Sequence, residues 1–346
     1  MRKVHAVLFT VGLIFLVYLV LRIGVYQLWR QLTMLGWGLI PLILAEGVAE
    51  FFHAISWRYC LIGSHRRIPL LRLFRIHLAG YAVNFFTPTA SVGGDATKAA
   101  LLAEHRRGPA AIAAVLIGKL SFALGHLLFV ILGAVIVLSE LQWPPALRTV
   151  LRVGVVLMAI GIIIFLFLQE EGRLAAIPRW LVKQNVCAKT LQRFVRPMES
   201  VDAILRRFYR EHPWNLAWSV CWHLLGYSVG IFATWYFLLL VEGHASVAAA
   251  ARVWFLAMWI DLMTFAVPLN LGVLEGGRLV AFRTAGFGVL PGMSFGLVTR
   301  IAQLFWAGAG LVNYALLIHG TIVKQPPRDT EIAKWPNRFT NERTLP

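Results

Sequence analysis

Two acid–base pairs stand beside helix-breaking residues in otherwise apolar parts of the chain. In the stretch NFFTPTASVGGDATK, Pro88 is followed by Asp95 and, three residues later, by Lys98. Residues three apart meet on one face of a helix, so this carboxylate and this ammonium can neutralise each other. A helix beginning at the glycines would also present backbone N–H groups to an anion such as a lipid phosphate.

The same residue types recur in the second half, in the stretch FAVPLNLGVLEGGR. Pro268, Glu275 and Arg278 each lie 180 residues after their counterparts, and Arg300 lies 181 residues after Lys119. Matching apolar segments interrupted by Gly and Pro are typical of transporters whose site lies between two repeats. We interpret the regions near 84–119 and 264–300 as an internal repeat.

The repeat supplies a candidate site for a lipid headgroup. The cations expected to hold its phosphate are Lys98, Lys119, Arg278 and Arg300. The acids expected to orient those cations, and to exchange protons, are Asp95 and Glu275. A charge at the bilayer centre costs about 2.5–3.5 kcal/mol on insertion scales, so such residues persist when they are paired or face water. The alternative is that the pairs only hold broken helices together.

A second polar set lies on one stripe of an apolar run. Glu46, Glu50 and His53 are spaced i, i+4 and i+7, which puts them on one helix face, and with Asp261 they suggest a proton relay. His126 and His223 would extend the relay or simply donate between helices. Glu50-x-x-His53 has the spacing of half a di-iron site, but no second Glu-x-x-His occurs, so we predict no metal.

Composition excludes several classes of protein. Hydrophobic residues make up 59% of the 346 residues and charged residues only 14%, against about 25% in soluble domains. The net charge of +17 comes from cations beside apolar runs, so we expect anionic lipid rather than nucleic acid as the partner. The chain lacks G-x-x-x-x-G-K-S/T, G-x-S-x-G and H-E-x-x-H, and we predict no catalytic residue and no cofactor.

Seven stretches are long and apolar enough to span a bilayer, which needs about 20 residues. They are Val4–Tyr26, Trp37–Trp57, Pro109–Leu138, Val150–Leu168, Trp214–Val241, Ser246–Val267 and Gly292–His319. The zones Leu70–Leu102 and Pro268–Leu290 are ambiguous. We therefore predict an all-α polytopic membrane protein with about seven to eight spanning helices and two re-entrant or broken-helix segments related by the repeat.

Basic loops set the expected orientation. Arg58–Arg75, Lys98–Arg107, Gln169–Pro213 and the tail 320–346 are all basic, so each should face the cytoplasm. Both termini would then be cytoplasmic and the protein would lie in a bacterial inner membrane. The chain between the first two clusters cannot cross once: it should enter and return as a re-entrant hairpin or cross twice as short half-helices, lining a cavity. Met198–Tyr209 should form an amphipathic piece lying on anionic lipid, or belong to an ordinary basic loop that only fixes the topology.

These motifs resemble those of a known family. The pattern N-x3-P-x4-G-G-D-x2-R/K is met by Asn84, Pro88, Gly93, Gly94, Asp95 and Lys98. The pattern P-x3-G-x2-E with a later arginine is met by Pro268, Gly272, Glu275 and Arg300. Both resemble the transmembrane domain of lysylphosphatidylglycerol synthases and the flippase-like proteins that share it, over about Val4–Leu317. The run PLNLGVLEGG is similar to the hopanoid-biosynthesis-associated branch.

The resemblance implies translocation of an anionic phospholipid or a hopanoid-type lipid, without the soluble domain that aminoacylates lipid in the synthases. At Lys119 we would expect arginine in many relatives. Lysine keeps the positive charge but cannot bind a phosphate in the bidentate geometry of arginine. A membrane-embedded enzyme using Glu46, Glu50, His53 or Asp261 is one alternative function. A non-catalytic scaffold for lipid-biosynthesis enzymes is another.

Overall fold

The computed structural model describes residues 25–87, 92–103, 108–140, 188–263 and 273–324, with scattered positions between 149 and 184. The regular elements in these ranges are all helical, which confirms the predicted all-α class. The ten helices described here are α1 Val25–Leu35, α2 Leu39–Tyr59, α3 Leu70–Phe86, α4 Val92–Ala103, α5 Gly108–Glu140, α6 Ala188–Glu211, α7 Pro213–Glu242, α8 Val247–Met263, α9 Val273–Thr284 and α10 Val289–Lys324.

Four helices within the described ranges are long and apolar enough to cross a membrane. They are Thr33–Tyr59, Gly108–Ala134, Pro213–Glu242 and Val289–His319, and each matches a predicted span. The helix α8 has 17 residues, slightly fewer than a full crossing usually needs. The predicted spans Val4–Tyr26 and Val150–Leu168 fall largely outside the described residues. The chain is thus a membrane protein, and its total of seven or eight spans stays a prediction.

Helix ends follow from local chemistry. Pro213 stands at the start of α7, where its missing N–H costs nothing, and Gly243 closes that helix in the left-handed conformation, with φ 74°. The helix α3 ends where Thr87 turns extended, with φ −116° and ψ 134°. Thr87 precedes Pro88, and a residue before proline is disfavoured in the helical region. The helix break expected near Pro88 is therefore present.

The internal repeat is visible in the helix lengths. The helices α4 and α9 have 12 residues each, and α5 and α10, which follow them, have 33 and 36. The starts of α4 and α9, and likewise of α5 and α10, are 181 residues apart in the chain. The helices α3 and α8, which come before α4 and α9 in the chain, have 17 residues each. Each half therefore contains a 17-residue helix, a 12-residue helix and a long helix in the same order.

The two halves meet where α2 packs along α7 and α3 packs along α10. A polar knot lies between α2, α5 and α7: Ser219 Oγ is 2.7 Å from Ser56 Oγ and 2.8 Å from Ser121 Oγ, and Cys60 Sγ is 3.2 Å from it. These four side chains are fully buried. Interhelical hydrogen bonds between small side chains hold helices together where the hydrophobic effect cannot.

The predicted amphipathic piece lies within the helix α6, and its described side chains from Val201 onwards are divided between a buried and an exposed face. Val201, Leu205 and Phe208 on one face are buried, whereas Arg206 and Arg207 on the other are exposed. The expectation that this piece lies on lipid by its apolar face is corrected, since that face packs on α5 in the protein core. Contact of the arginine face with anionic lipid stays a prediction.

Candidate functional site

Asp95 forms its salt bridge between helices rather than along its own. It lies in the first turn of α4, and its Oδ2 accepts a hydrogen bond of 2.6 Å from Nζ of Lys119 on α5. The expected pairing of Asp95 with Lys98 is therefore corrected. The aliphatic stem of Lys98 passes over Gly80 instead, and its Nζ lies 5.6 Å from the ring centre of Trp57. The absence of a side chain at Gly80 makes this course possible.

The second half repeats this contact. Glu275, in the first turn of α9, accepts a hydrogen bond of 3.0 Å at Oε1 from Nε of Arg300 on α10. The sequence separations are 24 residues for Asp95–Lys119 and 25 for Glu275–Arg300. Arg300 is only 2% exposed, and its guanidinium also lies over the ring of Phe85. Both acids lie at helix N-termini, as predicted, where the helix dipole favours a negative charge.

Arg278 is paired with Asp261 and not, as expected, with Glu275. Its Nη1 and Nη2 donate to the two carboxylate oxygens of Asp261 at 3.0 and 2.9 Å. Arg278 is 2% exposed and also lies over the ring of Trp254. Planar guanidinium matches a carboxylate in this bidentate way, so the contact between α8 and α9 is strong and directional. Asp261 is thus the partner of a buried arginine, and its role in a proton relay stays a prediction.

Asn84 and Gly94 together set the approach of α4 to α3. The side-chain oxygen of Asn84 accepts a hydrogen bond of 2.6 Å from the N–H of Gly94, in the first turn of α4. A Cβ on Gly94 would collide with the carbonyl oxygen of Gly80 and with Asn84. The carbonyl of Gly93 accepts a hydrogen bond from Thr97 one turn later. The glycine motif therefore serves close packing, and Asn84 caps the helix that carries Asp95.

The stripe on α2 faces the interior of the bundle, as predicted. Glu50 Oε2 lies 2.7 Å from His77 Nε2, and the hydroxyl of Tyr81 donates to Glu46 Oε1 at 3.3 Å. His53 and Glu50 are 6% and 9% exposed. His77 and Tyr81 were not singled out from the sequence, although both are polar residues in an apolar segment, four residues apart.

The two histidines predicted as interhelical donors make such contacts. His53 Nδ1 lies 2.9 Å from His223 Nδ1, between α2 and α7. His126 Nε2 lies 3.3 Å from the carbonyl oxygen of Met258, between α5 and α8. Within the described ranges, no three His, Cys, Asp or Glu side chains gather as metal ligands.

Two adjoining cavities take the place of the single pocket that we expected between the repeats. The first, of about 320 Å³, is bordered by Asn84, Asp95, Lys98, Lys119 and Trp57, among others. The second, of about 170 Å³, is bordered by Glu46, Asp261, Arg278, Thr299 and Gln303, among others. Glu50 and His53 border both.

The two cavities differ in size and therefore in what they can hold. Pockets for small molecules are usually about 300–1,000 Å³, so only the first cavity has room for a polar headgroup. The Glu275–Arg300 pair lies between α9 and α10, apart from the described lining of both cavities. Three predicted residues, Pro88, Pro268 and Gly272, fall outside the described residues.

Comparison with known proteins gives one match. The sequence model of the family described as lysylphosphatidylglycerol synthase TM region matches residues 4–310. No curated protein and no solved structure matches the chain.

Proposed function

Since the chain belongs to the lysylphosphatidylglycerol synthase TM region family, a membrane family with a lipid-related function, we propose that it moves an anionic lipid between the leaflets of a bacterial inner membrane. The headgroup enters the first cavity, and the acyl or terpenoid tails stay in the bilayer. The observation that carries this proposal is the state of Lys98, which borders that cavity without a salt bridge to the described residues.

Lys98 differs in this respect from the other cations of the repeat. Lys119, Arg278 and Arg300 are each held by a carboxylate, within 3.0 Å. Lys98 is partly buried, and a cation in such a position without a salt bridge is costly, so an anionic ligand would lower that cost. The ammonium of Lys98 is therefore the group that gains most from a phosphate in the first cavity.

The surroundings of Lys98 suit a headgroup rather than a free ion. The cavity is lined by aromatic and aliphatic carbon from Trp57, Phe122 and Val115 as well as by charge. Lys119 is half exposed at 47% and keeps two further N–H donors beside its bond to Asp95. A phosphate bridging Lys98 and Lys119 would thus have both charge and donors within the same cavity.

The second half has a different part in this proposal. Arg278 and Arg300 are fully buried and their charges are already balanced by Asp261 and Glu275. For these two arginines, we therefore favour the alternative from the sequence analysis, in which the acid–base pairs hold helices together and do not bind phosphate. We therefore narrow the phosphate ligands to Lys98 and Lys119 and assign Arg278 and Arg300 to the positioning of α8, α9 and α10.

The test is a transport measurement in liposomes that contain the purified full chain. Labelled phosphatidylglycerol, phosphatidylcholine and a labelled polar terpenoid lipid are compared, and we expect the anionic lipid to change leaflets fastest. Replacing both Asp95 and Glu275 by Ala should abolish the excess rate over empty liposomes. Labelled inorganic phosphate is tested as an alternative substrate: its uptake into the liposomes without any movement of lipid would show a free-phosphate transporter and contradict the lipid proposal. Equal rates for wild type and the double variant would also contradict it.

A membrane-embedded lipid-modifying enzyme is the second candidate. The observation that favours it is the Glu50–His77 pair, an acid and a base in contact at the edge of a cavity of headgroup size. The two candidates differ in their products. Transport leaves the lipid chemically unchanged, whereas an enzyme produces a lipid of altered mass. Mass spectrometry of the lipids recovered from the same liposomes therefore distinguishes them.

A further inference from the structure

The wall between the two cavities is made of titratable pairs. Glu50 and His53, both on α2, border the two cavities at once. Glu46 borders the second cavity and its hydrogen-bond partner Tyr81 borders the first. His77, the partner of Glu50, borders the first cavity as well. Exchangeable protons thus lie along the whole wall that separates the two spaces.

Each pair in this wall can hold one proton in more than one place. Glu50 and His77 share one as carboxylic acid with neutral imidazole or as carboxylate with imidazolium. In the 2.9 Å contact between His53 Nδ1 and His223 Nδ1, one nitrogen donates and the other must accept, so both rings cannot be cationic together. The wall is therefore suited to accept a proton from one cavity and to release it to the other.

Charged and titratable groups border the two cavities that Glu50 adjoins. They are Glu46 and His53 on α2, His77 and Tyr81 on α3, Asp95 and Lys98 on α4, Lys119 on α5, His223 and Tyr227 on α7, Asp261 on α8 and Arg278 on α9. His126 on α5 borders neither cavity and interacts electrostatically with His53. From α10, the second cavity receives the uncharged Thr299 and Gln303.

Within this set, Lys98 is the cation that interacts with Glu50 without being held in a salt bridge to the described residues, and it also interacts with Asp95. Asp95–Lys119 and Asp261–Arg278 are already salt bridges. Lys98 borders the same cavity as Glu50, and the two side chains interact electrostatically. A phosphate that binds Lys98 takes away the cation that balances a Glu50 carboxylate. It also places a second negative charge in the same cavity.

We propose, on the basis of the transport function proposed above, that binding of the anionic headgroup beside Lys98 is coupled to uptake of one proton by the Glu50–His77 pair. An O–H bond forms on Glu50, or an N–H bond on His77, and the proton comes from water in the open cavity. Release by way of His53, which borders the second cavity as well, returns the proton on the other side. Because linkage is reciprocal, protonation favours lipid binding as much as lipid binding favours protonation. A proton gradient would then drive the lipid.

The first experiment measures proton uptake directly on the wild-type full chain in detergent. Short-chain phosphatidylglycerol is added in weakly buffered solution with a pH-indicating dye, and short-chain phosphatidylcholine serves as the comparison. We expect uptake of about one proton for each phosphatidylglycerol bound, as the reciprocal linkage requires. Binding of phosphatidylglycerol without proton uptake would overturn the inference. The experiment uses the wild-type protein only, so that no variant can misfold.

The second experiment imposes a pH gradient across liposomes. We expect the gradient to speed phosphatidylglycerol movement several-fold in one direction and to slow it in the other. In Glu50→Gln, which mimics the protonated acid, we expect the ratio of the rates with and without the gradient to fall to about one, whatever the rate without a gradient. The matched control is Glu242→Gln, since Glu242 is an exposed acid at the end of α7. Wild-type transport that ignores the gradient would overturn the coupling alone, whereas wild-type rates equal to empty liposomes would overturn the transport proposal.

Discussion

Asp95 Oδ2 lies 2.6 Å from Nζ of Lys119, across the contact between the short helix α4 and the long helix α5. The contact between Glu275 and Arg300 repeats it in the second half, at 3.0 Å. The two contacts are alike in sequence position but differ in burial: the Lys119 side chain is 47% exposed, that of Arg300 2%. The Asp95–Lys119 contact therefore lies beside a cavity, whereas the Glu275–Arg300 contact lies between packed helices.

Removing the acid at the buried arginine should destabilise the protein. In Asp261→Asn, the guanidinium of Arg278 would lose a bidentate carboxylate while remaining buried, and breaking such a pair costs about 3–5 kcal/mol. We expect the thermal unfolding midpoint in detergent to fall by several degrees. An unchanged midpoint would contradict the assignment of Arg278 to positioning.

Removing the acid at the cavity should instead spare stability. In Asp95→Asn, the partner is the half-exposed Lys119, and exposed pairs contribute about 0–1 kcal/mol. We expect the unfolding midpoint to stay within about a degree of wild type, because so small a loss shifts it little, while transport of anionic lipid falls. A variant that is as active as wild type would show that orientation of Lys119 is not needed.

The close approach of α3 and α4 should tolerate no side chain at Gly94. The added Cβ of Gly94→Ala would meet the Gly80 carbonyl and the Asn84 side chain, and backbone cannot give way cheaply. We expect loss of folded protein, measured as the monodisperse fraction in size-exclusion chromatography. The control is Gly308→Ala on α10, where a Cβ meets no atom within 4 Å, so that it should fold normally. Normal folding of both variants would contradict the packing at Gly94.

The lysine at position 119 should be replaceable by arginine but not by a neutral side chain. Lys119→Arg keeps the bond to Asp95, and its guanidinium has further N–H groups that can donate to a phosphate. Lys119→Met removes the cation that pairs with Asp95. We expect Lys119→Arg to bind phosphatidylglycerol at least as tightly as wild type. The same titration on Lys119→Met should give weaker binding, and equal affinities for the three proteins would exclude Lys119 as a ligand.

Much of the helical framework was predictable because hydrophobic length and helix breakers act locally. The break before Pro88, the spans α2, α5, α7 and α10, and the repeat all follow from runs of apolar residues and from proline. The partners of the charges were not predictable in this way. Asp95 and Arg278 each have an oppositely charged residue three positions away, yet each pairs across a helix interface.

The salt-bridge partners depend on which helices pack against each other. The spacing of residues along the sequence does not reveal which helices these are. Gly80 illustrates the limit: it reads as an ordinary glycine in an apolar segment, but its missing side chain gives Lys98 its course towards Trp57. His77 is similar, since its importance comes only from lying 2.7 Å from Glu50. The division of the expected pocket into two cavities likewise depends on the packing of α2, whose residues Glu50 and His53 border both.

The most direct test of the account is equilibrium binding of short-chain phosphatidylglycerol to wild type and to Lys98→Gln. The control is Lys183→Gln, because Lys183 is exposed and distant in sequence from the repeat motifs. We predict that Lys98→Gln weakens binding by at least about tenfold, which corresponds to roughly 1.4 kcal/mol, while Lys183→Gln binds as wild type does. Equal affinities for wild type and a folded Lys98→Gln variant would contradict the assignment of the first cavity as the headgroup site.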